Sequence, residues 1–300
     1  MISVVIPTYN AARHLPALLD RLAGQTMPHE LIVIDSSSKD GTPEMLRRRG
    51  IPFSSIPTAS FNHGGTRNLG LRRASHDVVV FLTQDALPAN DYTLERIVTM
   101  LTSDDLIAMA YGRQLPYPGA RIFGEFARLH LYPAQSRVKT RADIPELGIR
   151  TPSCSNSFAA YRKADLLALG GFPERTIMGE DVIVAAQFIL QDRGVAYCAE
   201  AEVYHSHDYT VGEELRRYFD IGVFHDEQAI MREFSGAEAQ GIRYLLDETT
   251  HLIQRRKSHL IPAQFVRVVA KYVGYRAGRM HRNLPSGWRQ FLSMSKNYWT

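Results

Sequence analysis

Cysteine is scarce in this chain. Its two thiols, Cys154 and Cys198, are too few for a disulfide scaffold, and neither belongs to a C-x-x-C metal clip. Buried, reduced thiols of a cytosolic protein are expected. Long apolar runs are missing too. The longest, such as Val78 to Leu82, reach about five residues, against the roughly 20 that a membrane-spanning helix needs, so no spanning segment is expected. The opening stretch Met1 to Asn10 has no basic segment ahead of an apolar one, so no signal peptide is expected either. Acidic residues are absent from the C-terminal end: from Thr249 onward there are ten Lys or Arg and no Asp or Glu. The rest of the chain carries 25 basic against 31 acidic residues, so the formal charge of +4 belongs to the tail and not to the body. No nucleic-acid-binding motif accompanies that charge, and no nucleic-acid partner is expected. What is present is ordinary for a globular protein with a full core: 45% apolar and 22% charged residues in a chain of 300.

The first third alternates strand and helix patterns. Ser3 to Pro7, Leu31 to Ile34, Phe53 to Ile56 and Val78 to Leu82 are predicted strands. Leu15 to Leu22, Pro43 to Arg49 and Thr66 to Ala74 are predicted helices, the second with Thr42 as N-cap and the third opened by Gly64-Gly65. Apolar strands alternating with helices imply a mostly parallel sheet covered on both faces. Ligands of such sheets sit outside the C-terminal strand ends. The polar clusters Thr8–Asn10, Asp35–Asp40 and Thr83–Asp85 all follow strands, so they should converge on one crevice. Residues 112 to 155, rich in Pro and Gly, are expected to form loops and short helices around a substrate site. Phe158 to Tyr161 is a predicted strand, Lys163 to Leu169 a helix, and Gly170-Gly171-Phe172 a turn. Glu180 to Leu190 is predicted as an amphipathic helix, and Val195 to Cys198 and Glu202 to Tyr204 as two short strands. Beyond Thr210 the pattern is helical nearly to the end.

Taken in order, several strings resemble family 2 glycosyltransferases with the GT-A fold. They are Val4-Val5-Ile6-Pro7-Thr8-Tyr9-Asn10, Ile34-Asp35-Ser36-Ser37-Ser38-Lys39-Asp40-Gly41-Thr42, and Gly170-Gly171-Phe172 followed by Gly179-Glu180-Asp181. Phe61-Asn62-His63-Gly64-Gly65-Thr66-Arg67-Asn68 and Thr83-Gln84-Asp85 resemble forms found in the rhamnosyltransferase-like branch. The resemblance covers roughly residues 1 to 230. It implies a GT-A, Rossmann-like catalytic domain over 1–235, and a basic amphipathic helical extension over 236–300.

What the resemblance implies for the site can be set beside the chemistry. Donor contacts are implied at Pro7, Thr8, Tyr9, Asp35, Gly64, Arg67, Gln84 and Asp85. Asp35 would accept a hydrogen bond from N3–H of uracil or thymine, or else serve as an Asx-turn residue. Gly64-Gly65 would let backbone amides approach an anion. Arg67 sits on a first helical turn, where the helix dipole disfavours a cation. It needs a diphosphate or a nearby carboxylate. His63 would more simply shape its loop. Family members usually carry Asp-x-Asp where this chain has Thr83-Gln84-Asp85, so Asp85 alone remains to meet Mg²⁺ or Mn²⁺, with phosphate oxygens, water and His205 completing the shell. His207 shares the strand face of His205. Asp181 is the implied general base and Glu180 a residue orienting hydroxyls. An inverting transfer needs one carboxylate to take the acceptor's proton, because a nucleoside diphosphate is already a good leaving group.

The implied reaction moves L-rhamnose from dTDP-L-rhamnose to a hydroxyl of a surface polysaccharide or lipid-linked glycan. The enzyme would act in the cytoplasm, peripherally at the inner face of the membrane. Two alternatives stand beside it: a UDP-sugar donor on the same fold, and a membrane-associated scaffold with impaired chemistry. In the tail Phe265, Val268, Val269, Tyr272, Val273 and Met280 recur at near-helical spacing among Arg267, Lys271, Arg276, Arg279 and Arg282. That pattern suits either a basic membrane-surface region or a helical subdomain packed on the core.

Overall fold

The computed structural model describes residues 1–234 and 237–299. The chain opens with β1 (Ile2–Thr8), α1 (Leu15–Ala23), β2 (His29–Asp35), α2 (Thr42–Arg48), β3 (Phe53–Ser55), α3 (His63–Arg73) and β4 (Val78–Leu82). These follow the predicted alternation closely. One cap differs. The residue before α2 is Gly41 in the left-handed region, and the Thr42 hydroxyl donates to Asp40 (2.6 Å) while accepting from the Ala11 amide (2.8 Å). Thr42 therefore ties the β2–α2 loop to the β1–α1 loop.

Residues 86–111, for which no element is predicted, form β5 (Leu87–Pro88), α4 (Thr93–Thr102) and the start of β6 (Ile107–Leu115). The Pro- and Gly-rich stretch that follows holds α5 (Ile122–Leu131), β7 (Arg137–Lys139) and α6 (Ile144–Leu147). Then come β8 (Phe158–Arg162), α7 (Lys163–Ala168), α8 (Glu180–Leu190) and β9 (Gly194–Tyr204). The two strands expected around Cys198 and Glu202 are one: β9 runs through both, and its register against β6 jumps from Cys198 to Glu202 as Gly112 passes to Arg113. The last elements are α9 (Val211–Glu227), α10 (Ala237–Gln254), α11 (Ile261–Arg279) and α12 (Ser286–Leu292).

The sheet has nine strands, ordered β3-β2-β1-β4-β8-β6-β9-β5, with β7 paired to β9. Strands β1, β2, β3, β4, β6 and β9 run in one direction, and β8 runs the other way between β4 and β6. Period-two alternation sorts the apolar strands onto two faces. Val4, Ile6, Val80 and Leu82 pack with Leu15, Leu22, Leu46, Leu94 and Ile97 from α1, α2 and α4. Val5, Val79 and Phe81 pack with Leu71, Leu166, Val184 and Phe188 from α3, α7 and α8. Burial on both faces explains why these strands are apolar throughout. It also makes α8 less amphipathic than expected, since Ile183, Val184, Ala185, Ala186, Phe188 and Ile189 are all buried.

The tail is bound by close backbone contact. A Cβ on Gly274 would lie 2.2 Å from the Leu215 carbonyl oxygen, and one on Gly278 would lie 2.1 Å from that of Phe219. Only glycine lets α11 approach α9 so closely. Helix α9, which falls within the expected catalytic span, is therefore joined to the helical extension. The expected boundary between residues 235 and 236 lies outside the described residues. No helix among the described residues is long and apolar enough to cross a membrane.

Candidate active site and metal centre

The topology gathers the polar residues at one edge. Because six strands share a direction, the C-terminal ends of β1, β2, β4, β6 and β9 come together. The reversed β8 contributes its N-terminal approach, Asn156, to that same edge, since Leu82 pairs with Phe158.

Asp85 leaves β4 and is at once held by β5, whose Leu87 pairs with Tyr204 at the end of β9. That two-residue pairing brings Asp85 to the histidines that follow β9. The Asp85 Oδ2 lies 3.5 Å from His205 Nε2 and 3.9 Å from His207 Nε2. The tautomer of His205 follows from its other neighbour. Gln114 Oε1 accepts a hydrogen bond from Arg128, and a guanidinium can only donate, so the amide oxygen is the atom that faces it. The same oxygen lies 2.8 Å from His205 Nδ1, which must then carry the proton. In neutral His205 the Nε2 lone pair therefore faces a carboxylate, and a cation or a second proton has to lie between them. Burial alone would raise the Asp85 carboxyl, but the hydrogen bond and charge of His205 outweigh it and hold the group well below the usual range. Burial, then the neighbouring His205, lower His207 to about 4, which keeps its lone pair free at neutral pH. One carboxylate oxygen and two imidazole nitrogens, all within 4.8 Å of one another, form a site that can hold a divalent metal ion. His207 joins the expected pair Asp85 and His205. Its same-face spacing was the signal.

The second cluster lies at the start of α8. Asp181 is half-buried, and its Oδ2 accepts a hydrogen bond from the Asn156 amide at 2.8 Å. Glu180 is 5% exposed and forms an ion pair with Arg67 at 3.1 Å, both side chains being buried. Asn156 joins the two acids, because its Nδ2 donates to Glu180 Oε1 (3.2 Å) while its Oδ1 accepts from Tyr161 (2.7 Å). Burial and the negative charge of Glu180 push the Asp181 carboxyl up to about 6. Burial opposes ionisation of Glu180, and the Arg67 charge overcomes it, leaving that carboxyl lowered. The pair is thus split in the way acid–base chemistry exploits: one acid fixed as an anion, its neighbour poised near neutrality.

Several expected contacts have other duties. Arg67 is turned inward on Glu180 and the His63 carbonyl (3.1 Å each), which gives its charge a carboxylate partner. Glu180 enters that pair through Oε1, the oxygen that also accepts from Asn156. Gly64 packs where a Cβ would lie 2.0 Å from the Pro173 carbonyl oxygen, and the Gly65 amide donates to Asn62 (2.5 Å), the N-cap of α3. Asn68 exchanges two hydrogen bonds with the backbone of Phe172 (2.9 and 2.8 Å). Together, Asn62 to Asn68 clamp the turn at Gly170–Glu174 that leads to Glu180. Asp35 is fully buried; its Oδ1 accepts from Thr8 (3.0 Å) and Ser38 (2.6 Å), and its Oδ2 from the Ser38 amide (2.9 Å). That is the Asx-turn role, and it leaves one acceptor position on Oδ2. Pro7 pairs with Ile34 in the sheet, and Thr8 is buried beside it. Tyr9 is 49% exposed, and its amide and carbonyl are both held by the Gln84 side chain (2.8 and 3.0 Å), which fastens the β1 end to the β4 end. Asn156 and Gln114 do not stand out in the sequence, since nothing in an isolated polar residue reveals a partner far along the chain.

The glycosyl transferase family 2 model matches residues 3–170. The chain is 45% identical to the O-antigen chain rhamnosyltransferase RfbN of Salmonella typhimurium, across 99% of this chain and 96% of that protein. It is 42% identical to the O-antigen chain rhamnosyltransferase WbaN of Salmonella anatum, across 99% and 95%. Among solved structures, the mannosyltransferase PcManGT from Pyrobaculum calidifontis, in complex with GDP-Man and Mn²⁺, superposes with a TM-score of 0.58 at 20% identity, over 99% of this chain and 85% of that one. Residues 1–349 of S. aureus TarS in complex with UDP-GlcNAc give 0.54 at 20% identity, over 94% and 91%. These two share the fold. The family match and the full-length relatives together place this chain in glycosyl transferase family 2, as a rhamnosyltransferase-like glycosyltransferase.

Proposed function

We propose that the enzyme transfers L-rhamnose, with inversion, from dTDP-L-rhamnose to a hydroxyl of a lipid-linked bacterial surface glycan, at the inner face of the cell membrane. The two full-length relatives, both O-antigen chain rhamnosyltransferases, support the sugar and the class of acceptor. The observation that carries the chemistry is the pairing of a poised carboxylate, Asp181, with the Asp85–His205–His207 cluster at one sheet edge. Asp181 takes the acceptor's proton as that oxygen forms its bond to the anomeric carbon. The bond from that carbon to the diphosphate breaks, and dTDP leaves with the electron pair. The Asn156 amide fixes Asp181 Oδ2 during this exchange. Asp85 and the two histidines would hold Mg²⁺ or Mn²⁺, which when bound neutralises the charge on the leaving diphosphate. The nucleotide would lie along the β1 and β4 ends, over Tyr9 and Gln84, with Asp35 setting the shape of the adjoining turn.

The test is a thermal-shift series with Mg²⁺ or Mn²⁺ and either dTDP-L-rhamnose or UDP-hexoses, followed by a transfer assay on Asp181→Asn. A ligand at 100 times its Kd adds about 2.7 kcal/mol to stability. Stabilisation by UDP-sugars alone would move the donor assignment. Full transfer by Asp181→Asn would remove the base. Absence of donor turnover with any metal would favour a scaffold without chemistry.

A further inference from the structure

The tail carries most of the large apolar side chains that the described residues leave in water. Of the 21 large apolar side chains exposed among the described residues, twelve lie between Ile242 and Met294. On α11, Phe265, Val269, Tyr272 and Val273 form one stripe at helical spacing, between 44% and 66% exposed, with Val266 beside it. The opposite side of the helix, with Ala270, Gly274 and Gly278, is the side buried against α9. Ile242, Leu246 and Ile253 on α10, and Trp288 and Phe291 on α12, are exposed as well. A monomer does not usually leave apolar surface so concentrated without a partner for it.

Charge selects the partner. Arg267 and Lys271 pair with Glu214, Arg255 with Glu125, and Arg282 with Asp226. Arg256, Lys257, Arg276 and Arg279 form no salt bridge among the described residues, and no acidic residue follows Glu248. Helix α11 carries no acidic residue, so a two-fold dimer through its exposed side would oppose two cationic surfaces. An anionic bilayer complements both features: aromatic and aliphatic side chains enter the headgroup region while arginines meet lipid phosphates.

The same helix reaches the metal site. Arg267 lies between Phe265 and Val269 in sequence but turns inward, donating to the Tyr209 carbonyl at 3.0 Å and lying 4.6 Å from the Phe123 ring. Tyr209 stacks on His207, with ring centroids 5.3 Å apart, and His207 faces Asp85. We propose that the α10–α11 face docks on an anionic phospholipid bilayer, and that Arg267 ties the 205–209 loop to the docked helix, setting the reaction edge at a fixed height above the lipid. The docking stands on the surface alone; its use, to meet a lipid-linked acceptor, rests on the proposed function.

The experiment is co-sedimentation of the full chain with phosphatidylcholine vesicles, with and without phosphatidylglycerol, alongside measurement of its oligomeric state by light scattering. Binding is expected to the anionic vesicles, weakening as salt rises. The triple variant Phe265→Ser/Val269→Ser/Tyr272→Ser should bind those vesicles at least about tenfold more weakly, since losing even one buried apolar side chain approaches that. It should keep its donor-induced thermal shift, which reports on folding and on the sheet edge separately. Equal binding by the triple variant overturns the proposal, as does no binding by the parent chain. A dimer that the triple variant dissolves would assign the face to a second copy instead. Vesicle binding without any shift by dTDP-L-rhamnose would keep the docking and reject the donor.

Discussion

Replacing Gln114 by Leu should weaken metal binding without touching a metal ligand. Gln114 is 2% exposed, and its amide oxygen serves both the Arg128 guanidinium and His205 Nδ1. Without that acceptor, the imidazole is free to carry its proton on Nε2, the nitrogen that must face the ion. Loss of such an orienting partner costs about 10–100-fold in metal affinity, equivalent to about 1.4–2.7 kcal/mol. Titration of the full chain with Mn²⁺, following the free ion by electron paramagnetic resonance, measures this directly and needs no donor. Gln114→Glu is the companion variant: it keeps an acceptor for both Arg128 and His205, and should retain the parent affinity or exceed it. The tautomer assignment fails if Gln114→Leu is folded and binds Mn²⁺ as tightly as the parent while Asp85→Asn does not. If Asp85→Asn also binds normally, the ion is not held at this edge.

Four further outcomes are expected. Because the raised Asp181 carboxyl loses its proton near pH 6, kcat/KM should be flat above that value and fall about tenfold per unit below it, in a pH profile taken at subsaturating acceptor. Asp181→Asn should lower kcat by about 10²–10⁴-fold with little change in the donor-induced thermal shift, measured in parallel. Arg67→Met should cost about 3–5 kcal/mol in urea unfolding, because it strands the Glu180 carboxylate in the interior; Arg67→Met/Glu180→Met should recover much of that loss. Gly278→Ala should lower stability by about 1–3 kcal/mol through the clash with the Phe219 carbonyl, seen as a lower urea midpoint, whereas the exposed Gly287→Ala should not.

The parallel half of the fold was legible because its strands are buried on both faces, and a continuous apolar run as short as Val78–Leu82, bounded by polar turns, suits a buried strand far better than a helix. Strand β5 was not, since it spans two residues and owes its conformation to Tyr204 and Val203, far away in sequence, whereas α4 does carry a helical spacing in Leu94, Ile97 and Leu101. In the site, same-face spacing pointed to His207 beside His205. The role of Arg67 stayed open between a phosphate and a carboxylate, because burial decides it and burial depends on how the Gly170–Glu174 turn packs over α3. Asp35 was readable as either a base acceptor or a turn residue for the same reason: Thr8 and Ser38 reach it only after β1 and β2 have paired.

The reversed direction of β8 bears on how Asp181 can be disturbed. Six strands, β1, β2, β3, β4, β6 and β9, finish at this edge. A strand running backward begins where those end, so the segment entering β8 lies at the same rim, and there the Asn156 amide donates to Asp181. The carboxylate is thus held by a main-chain donor, which no side-chain substitution removes.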